Sequence, residues 1–203
     1  MLLIGLTVSQ CAAELPSHAS AREALTSVRL LNDTWNLESN AVLRSEAFAD
    51  HADQEGYAPI ASLFRAAAAS QRVHARSLSV AVKRLGQQPE VVLDRFVVTS
   101  TSENLLAEIA LHARYKEETL PAMVLALKQE HFVAATRSMA DARRSESSLI
   151  DYFKETAEHL GTSRKAVKAT YYVCKQCGYM TRSTNFHVCK VCHHFREKHE
   201  AVS

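Results

Sequence analysis

The chain has 203 residues, 47% of them hydrophobic, with five glycines and four prolines; this can build one substantial domain plus a small appendage, and it argues against a turn-rich all-β fold. The formal net charge of +2 conceals an uneven distribution, because positions 164 to 203 hold eight Lys/Arg against two acids, and the rest of the chain holds sixteen against twenty. No apolar run is long enough to cross a bilayer, and neither Ser or Cys nucleophile motifs nor glycine-rich phosphate loops occur, so the reading is a cytoplasmic protein without a membrane partner.

Residues 1–20 read as an N-terminal extension. Met1 to Val8 is apolar but short, and no basic residues open it as they open a secretory signal. Val8-Ser9-Gln10-Cys11 is faintly similar to a lipoprotein cleavage site, but Gln10 occupies the place of a small residue.

From residue 21 to 161 the pattern is helical, broken where turns belong. A first helix is predicted over Ala21 to Gln54, ending at Gly56, and a second from Tyr57, with Pro59 in its first turn, to Leu85 before Gly86. A connection of about a dozen residues follows, with Pro89 and the apolar stretch Val91 to Val98. Ser100 and Glu103 form a candidate capping box for a third helix that runs to about Lys128 with a kink at Pro121. The fourth covers roughly His131 to Leu160. Two short turns and one long connection give an all-α, ferritin-like four-helix bundle with one long crossover.

Each helix carries an apolar stripe with polar interruptions near its midpoint. Glu38, Gln71 with His74, His112 with Tyr115, and Glu146 fall at similar depths, so antiparallel packing gathers them into one layer. A carboxylate buried among leucines and phenylalanines must be neutralised, ion-paired or metal-bound. A weak internal duplication, Gln54-Glu55-Gly56-Tyr57 against Gln129-Glu130-His131-Phe132, makes the bundle two related hairpins.

After a linker at 162–170, residues 171–203 carry Cys174, Cys177, Cys189 and Cys192, two CxxC pairs separated by eleven residues. Such hooks can place four thiolates at the corners of a tetrahedron, which suits zinc or a single iron, whereas adjacent CxxC pairs are poor disulfide staples. Gly178 and Tyr179 follow the first pair, and Tyr172 precedes it as a ring to cover the sulfurs; His193 and His194 follow the second pair where a turn glycine would stand, and are read as exposed.

Taken together, Glu38-Ser39, Gln54-Glu55-Gly56-Tyr57, Ile60-Ala61, Thr101-Ser102-Glu103-Asn104-Leu105 and Tyr172-x-Cys174-x-x-Cys177-Gly178-Tyr179 resemble stretches of the rubrerythrin family. The resemblance covers nearly everything after residue 20 and implies a ferritin-like bundle followed by a small rubredoxin-like or zinc-ribbon β domain. It further implies a peroxidase-type oxidoreductase that reduces hydrogen peroxide at a di-iron site. Family members hold the two irons with Glu on the first helix, Glu-x-x-His on the second, Glu-x-x-Glu on the third and Glu-x-x-His on the fourth. This chain matches at Glu38, His74 and Glu146, but has Gln71, His112, Tyr115 and Leu149 at the other four positions, a divergence that leaves the di-iron site degenerate and argues against full activity.

Three readings stand side by side. In one, a single core metal is held by Glu38, His74, His112 and Glu146, with redox or peroxide-stress chemistry, and the four-cysteine site holds iron, which serves electron transfer, or zinc. In another, the bundle is metal-free and the four-cysteine site structural. In the third, a non-catalytic zinc ribbon makes the chain an interaction module or uses the basic tail on nucleic acid. The expected partners are a second copy of the chain, with the basic tail of one subunit on the acidic bundle of the other, and a redox partner protein.

Overall fold

In a computed structural model of the chain, residues 18–203 are described apart from positions 91 and 165, with side chains from residue 27 onward. The Cys11 segment lies outside the described residues. The helices are α1 (His18–Gln54), α2 (Ala58–Arg84), α3 (Thr101–Arg114), α4 (Leu120–Gln129), α5 (Val133–Glu158) and the short α6 (Leu160–Ser163). α1, α2, α3 with α4, and α5 make the ferritin-like four-helix bundle. The tail adds β1 (Tyr171–Cys174), β2 (Met180–Thr181) and β3 (His199–Val202), an antiparallel sheet of order β2-β1-β3.

The two hairpin corners repeat one another, as the duplication suggests. Gly56 at φ +82° and His131 at φ +58° each take the left-handed conformation after a helix. The next residue's N–H then donates five residues back, Tyr57 to the Ala52 carbonyl at 2.8 Å and Phe132 to the Leu127 carbonyl at 3.0 Å. A side chain at positive φ is strained, so exposed His131→Gly should stabilise the fold by about 0.5–1 kcal/mol, as read by urea unfolding.

The long crossover is held by two asparagines one turn apart on α1. Asn36 donates to the Glu90 carbonyl and accepts from the Val92 N–H, while Asn40 donates to the Val92 carbonyl and accepts from the Asp94 N–H, at 2.7–3.0 Å. This pairing replaces a neighbouring strand for an extended backbone. The capping box then starts α3: the Glu103 N–H donates to Ser100 Oγ and the Glu103 carboxylate accepts from the Ser100 N–H.

The third helix departs from expectation. Its distortion is a π-helical turn at Tyr115–Thr119 that runs directly into α4, and Pro121, the second residue of α4, lies just past that turn. The fourth helix starts after Phe132, which is its N-cap, and ends at Glu158.

Two apolar clusters lie on either side of the midpoint layer. One contains Phe48, Phe64, Leu105, Leu149 and Phe153, with Phe64 centred 5.6 Å from both Phe48 and Phe153. Tyr171, Val173 and Met180 of the sheet join it, so bundle and tail share a core. The other contains Leu31, Leu78, Val82, Leu120, Met123, Leu127 and Met139. Among the described residues, no helix is long and apolar enough to span a membrane.

Candidate metal centres

In the tail, Cys174 closes β1 and a tight turn brings Cys177 back beside it: the Gly178 N–H donates to the Cys174 carbonyl at 2.8 Å, with Gly178 at φ +76°. The second pair repeats this turn. The His193 N–H donates to the Cys189 carbonyl at 3.0 Å, and His193 itself takes the left-handed conformation, at φ +60°. His193 therefore replaces the turn glycine; it and His194 are exposed, as expected. Tyr179, rather than Tyr172, packs against the sulfurs, while Tyr172 meets Phe186 and lies under the Arg196 guanidinium.

All four thiols are free and buried, with sulfur atoms within 4.8 Å of one another and 3.6 Å across both the Cys174–Cys192 and Cys177–Cys189 pairs. That spacing is far beyond a disulfide bond and matches the edge of about 3.8 Å of a tetrahedron with metal–sulfur bonds of about 2.3 Å. Hydrogen bonds from Cys174 and Cys177 hold the Cys189 thiol well below its usual range, and contact with Cys174 and Cys189 drives that of Cys177 well above. The donor set fits one zinc or iron ion.

The tail sits against the bundle of its own chain. Ser70 Oγ donates to the Gly178 carbonyl at 2.7 Å, Arg76 to the Lys175 carbonyl at 2.5 Å, and Arg182 forms a bidentate pair with Glu155 at 2.7 Å. His74 reaches furthest: its Nε2 lies 3.1 Å from the carbonyl oxygen of the ligand residue Cys177. A Cβ at position 178 would stand 2.5 Å from that nitrogen, so only glycine permits the approach.

His74 also belongs to the midpoint layer, which is a buried chain of ion pairs running across all four helices. Arg44 Nε donates to Glu108 at 2.5 Å; Glu108 lies 3.2 Å from His112 Nε2; His112 Nδ1 donates to Glu146 at 2.7 Å; and His74 Nδ1 lies 3.6 Å from Glu146 and donates to Glu38 at 2.9 Å. Burial opposes charge on His74, but Glu38 and Glu146 outweigh it and push its pKa up to about 9. The same contest at His112, with Glu146 and Glu108 winning over burial, ends at about 10. For Glu108, burial is outweighed by His112 and Arg44, which hold its carboxyl below the usual range. Three basic side chains, Arg44, His74 and His112, thus face three acidic ones, Glu38, Glu108 and Glu146.

Glu38, His74 and Glu146 bring one donor atom each within a 4.8 Å group, so these three fit a single ion. His112 stands on the far side of Glu146, with its second nitrogen 3.1 Å from the Gln71 amide. Tyr115 is half-buried with its hydroxyl oxygen enclosed; burial and the nearby Glu38 and Glu146 carboxylates hold its pKa well above the usual tyrosine range. A cavity of about 310 Å³, lined in part by Glu38, Arg44, Asp94, His112 and Tyr115, leads to the layer between α1 and the π-helical turn.

The rubrerythrin family model matches residues 29–156. The chain belongs to the rubrerythrin family. It is 23% identical to rubrerythrin-2 of Clostridium acetobutylicum over 183 residues, covering 90% of this chain and 99% of the relative. It is 24% identical to the rubrerythrin of Nitratidesulfovibrio vulgaris over 160 residues, covering 77% and 84%. The fold is similar to a nigerythrin solved in a mixed-valence state (TM-score 0.78, 20% identity, 96% of this chain and 90% of the other). It also resembles a Desulfovibrio desulfuricans bacterioferritin with a di-iron site (TM-score 0.64, 14% identity, 71% and 90%).

Within this rubrerythrin fold, Gln71 is buried and bonded to Ser45 at 3.0 Å, and Leu149 is part of the phenylalanine cluster. Neither brings a carboxylate or an imidazole to the centre. The sequence reading missed Glu108 and Arg44. Glu108 is three residues after Leu105 and four before His112, a spacing that puts it on the inner face of α3, where its charge should have raised the question of a partner.

Proposed function

We propose that this protein is a divergent rubrerythrin-type metalloprotein of redox or peroxide-stress chemistry, with one iron or zinc at the four-cysteine site and at most one divalent ion in the bundle core. The observation that carries the reading is the 3.1 Å contact between His74 and the Cys177 carbonyl, a direct link between the thiolate centre and the core layer. Cys174, Cys177, Cys189 and Cys192 would hold the first ion, and Glu38, His74 and Glu146 the second. Bound iron would supply one-electron redox chemistry at the thiolates, whereas zinc would supply rigidity alone. The chain's own residues prepare both places: Ser70 and Gly178 fix the first turn against the bundle, and Glu38 orients the His74 ring. The Gln71, Tyr115 and Leu149 departures remove two carboxylates and one imidazole, so the core lacks the donors for two irons, and peroxide turnover is expected to be slow.

Metal analysis and the visible spectrum of protein purified without added metal test this. About one thiolate-bound ion per chain is expected, red if ferric and colourless if zinc, and Cys177→Ser with Cys192→Ser should release it. Full retention in that double variant would refute the thiolate assignment, and two core irons with rapid peroxide consumption would refute the single-ion core.

The partners belong to the same proposal: a homodimer, a redox partner and a cytoplasmic setting. The basic tail meets the acidic bundle through pairs such as Arg182–Glu155, and in the homodimer the tail of one subunit would make the same kind of contact with the bundle of the other. Specific binding of nucleic acid by the basic tail would favour the interaction-module reading instead.

A further inference from the structure

Resting on the single-ion reading of the core, we infer that Tyr115 supplies the fourth ligand of that ion, as a phenolate beside Glu38, His74 and Glu146. Among the described residues, two oxygens of the midpoint layer are buried without a hydrogen-bond partner: Glu146 Oε1 and Tyr115 Oη. Glu146 is only 1% exposed, and the unpartnered oxygen lies 3.6 Å from His74 Nδ1, inside the three-donor group. Buried oxygens without donors are costly, and a cation between them satisfies both at once.

His112, the fourth donor expected from sequence, is poorly placed for the task. Its Nδ1 is committed to the other oxygen of Glu146 at 2.7 Å, and its Nε2 lies 3.1 Å from Gln71 and 3.2 Å from Glu108. Turning a lone pair toward the ion would break an ion pair that neutralises a buried carboxylate. Tyr115 is tied to no such ion pair, and the carboxylate its hydroxyl faces is that of Glu38, itself one of the three donors. The tyrosine opens the π-helical turn and lines the same cavity as Glu38, so an ion entering there meets both side chains.

Three oxygens and one nitrogen suit a hard ion, manganese or iron.

The test uses the full-length chain and its Tyr115→Phe variant, each titrated anaerobically with ferrous iron and then oxidised with ferricyanide before the spectrum is read. Iron per chain and the visible spectrum are measured, and the variant serves as the baseline that cancels absorption from the four-cysteine site. The expected result is one core iron in the wild type with a phenolate-to-iron charge-transfer band, and in the variant no band and at least tenfold weaker core binding. Resonance Raman scattering from the wild type alone should show phenolate ring modes, so the outcome does not hang on the variant's folding. A core iron with no phenolate signal, or with equal affinity in the variant, would overturn the assignment of Tyr115 and leave the single-ion core standing. No core iron in the wild type would overturn both.

Discussion

Glu146→Gln should be among the most destabilising single changes in this chain, by about 3–5 kcal/mol in urea unfolding, although it preserves the shape of the side chain. Glu146 is buried between two imidazoles, accepting from His112 Nδ1 at 2.7 Å and facing His74 Nδ1 at 3.6 Å. Removing its charge leaves three basic groups against two carboxylates around a side chain that is only 1% exposed. The effect should carry a pH signature. The folded values of about 9 for His74 and about 10 for His112 lie above the ordinary 6.5, so their contribution is fully present below pH 6.5 and is lost as pH rises through 9 to 10. Unfolding midpoints at pH 6, 8 and 10 should fall for the wild type, and fall less steeply for Glu146→Gln. A variant within about 1 kcal/mol of the wild type at pH 6 would show that the ion chain contributes little net stability.

Gly178→Ala should detach the tail from the bundle. The added methyl would meet His74 Nε2 at 2.5 Å and Ser70 Oγ at 2.7 Å, and position 178 has φ +76°, so space and backbone both reject it. Overpacking and left-handed strain together predict a loss of about 2–4 kcal/mol. The loss should be concentrated at the seam, because His74 and Ser70 are held from behind by Glu38 and by α2. Limited proteolysis would read this directly, as faster cleavage in the linker at 166–170 with the bundle fragment intact. Equal cleavage rates for wild type and variant would mean that the seam tolerates a side chain there.

Much of this architecture is written locally in the chain. Gly56 and Gly86 end helices because they accept positive φ, Ser100 and Glu103 start one because their side chains satisfy its first N–H groups, and the stripes locate the inner faces. The CxxC spacing similarly carries the thiolate centre, since each pair is a turn whose geometry depends on neighbouring residues alone. Where a local rule was misread, another local feature had taken over: His193 occupies the conformation normally left to glycine, and the irregularity expected at Pro121 takes the form of a π-helical turn just before it.

The chemistry of the midpoint layer belongs to a different class. Depth along each helix sufficed to gather Glu38, His74, His112 and Glu146, yet not to say which atoms meet, because hydrogen-bond partners come from helices far apart in the chain and depend on angstrom-scale offsets between them. Only the packed bundle shows that His112 answers to Glu108 and Glu146, that Arg44 pairs with Glu108, and that the Tyr115 hydroxyl is left without a partner. The contact of His74 with the Cys177 carbonyl spans 103 positions, and no periodicity in either segment encodes it. Helix ends and metal turns are set by short-range sterics and hydrogen bonding, so the sequence determines them by itself; a buried electrostatic network is set by distances between elements, and those exist only after the chain has folded.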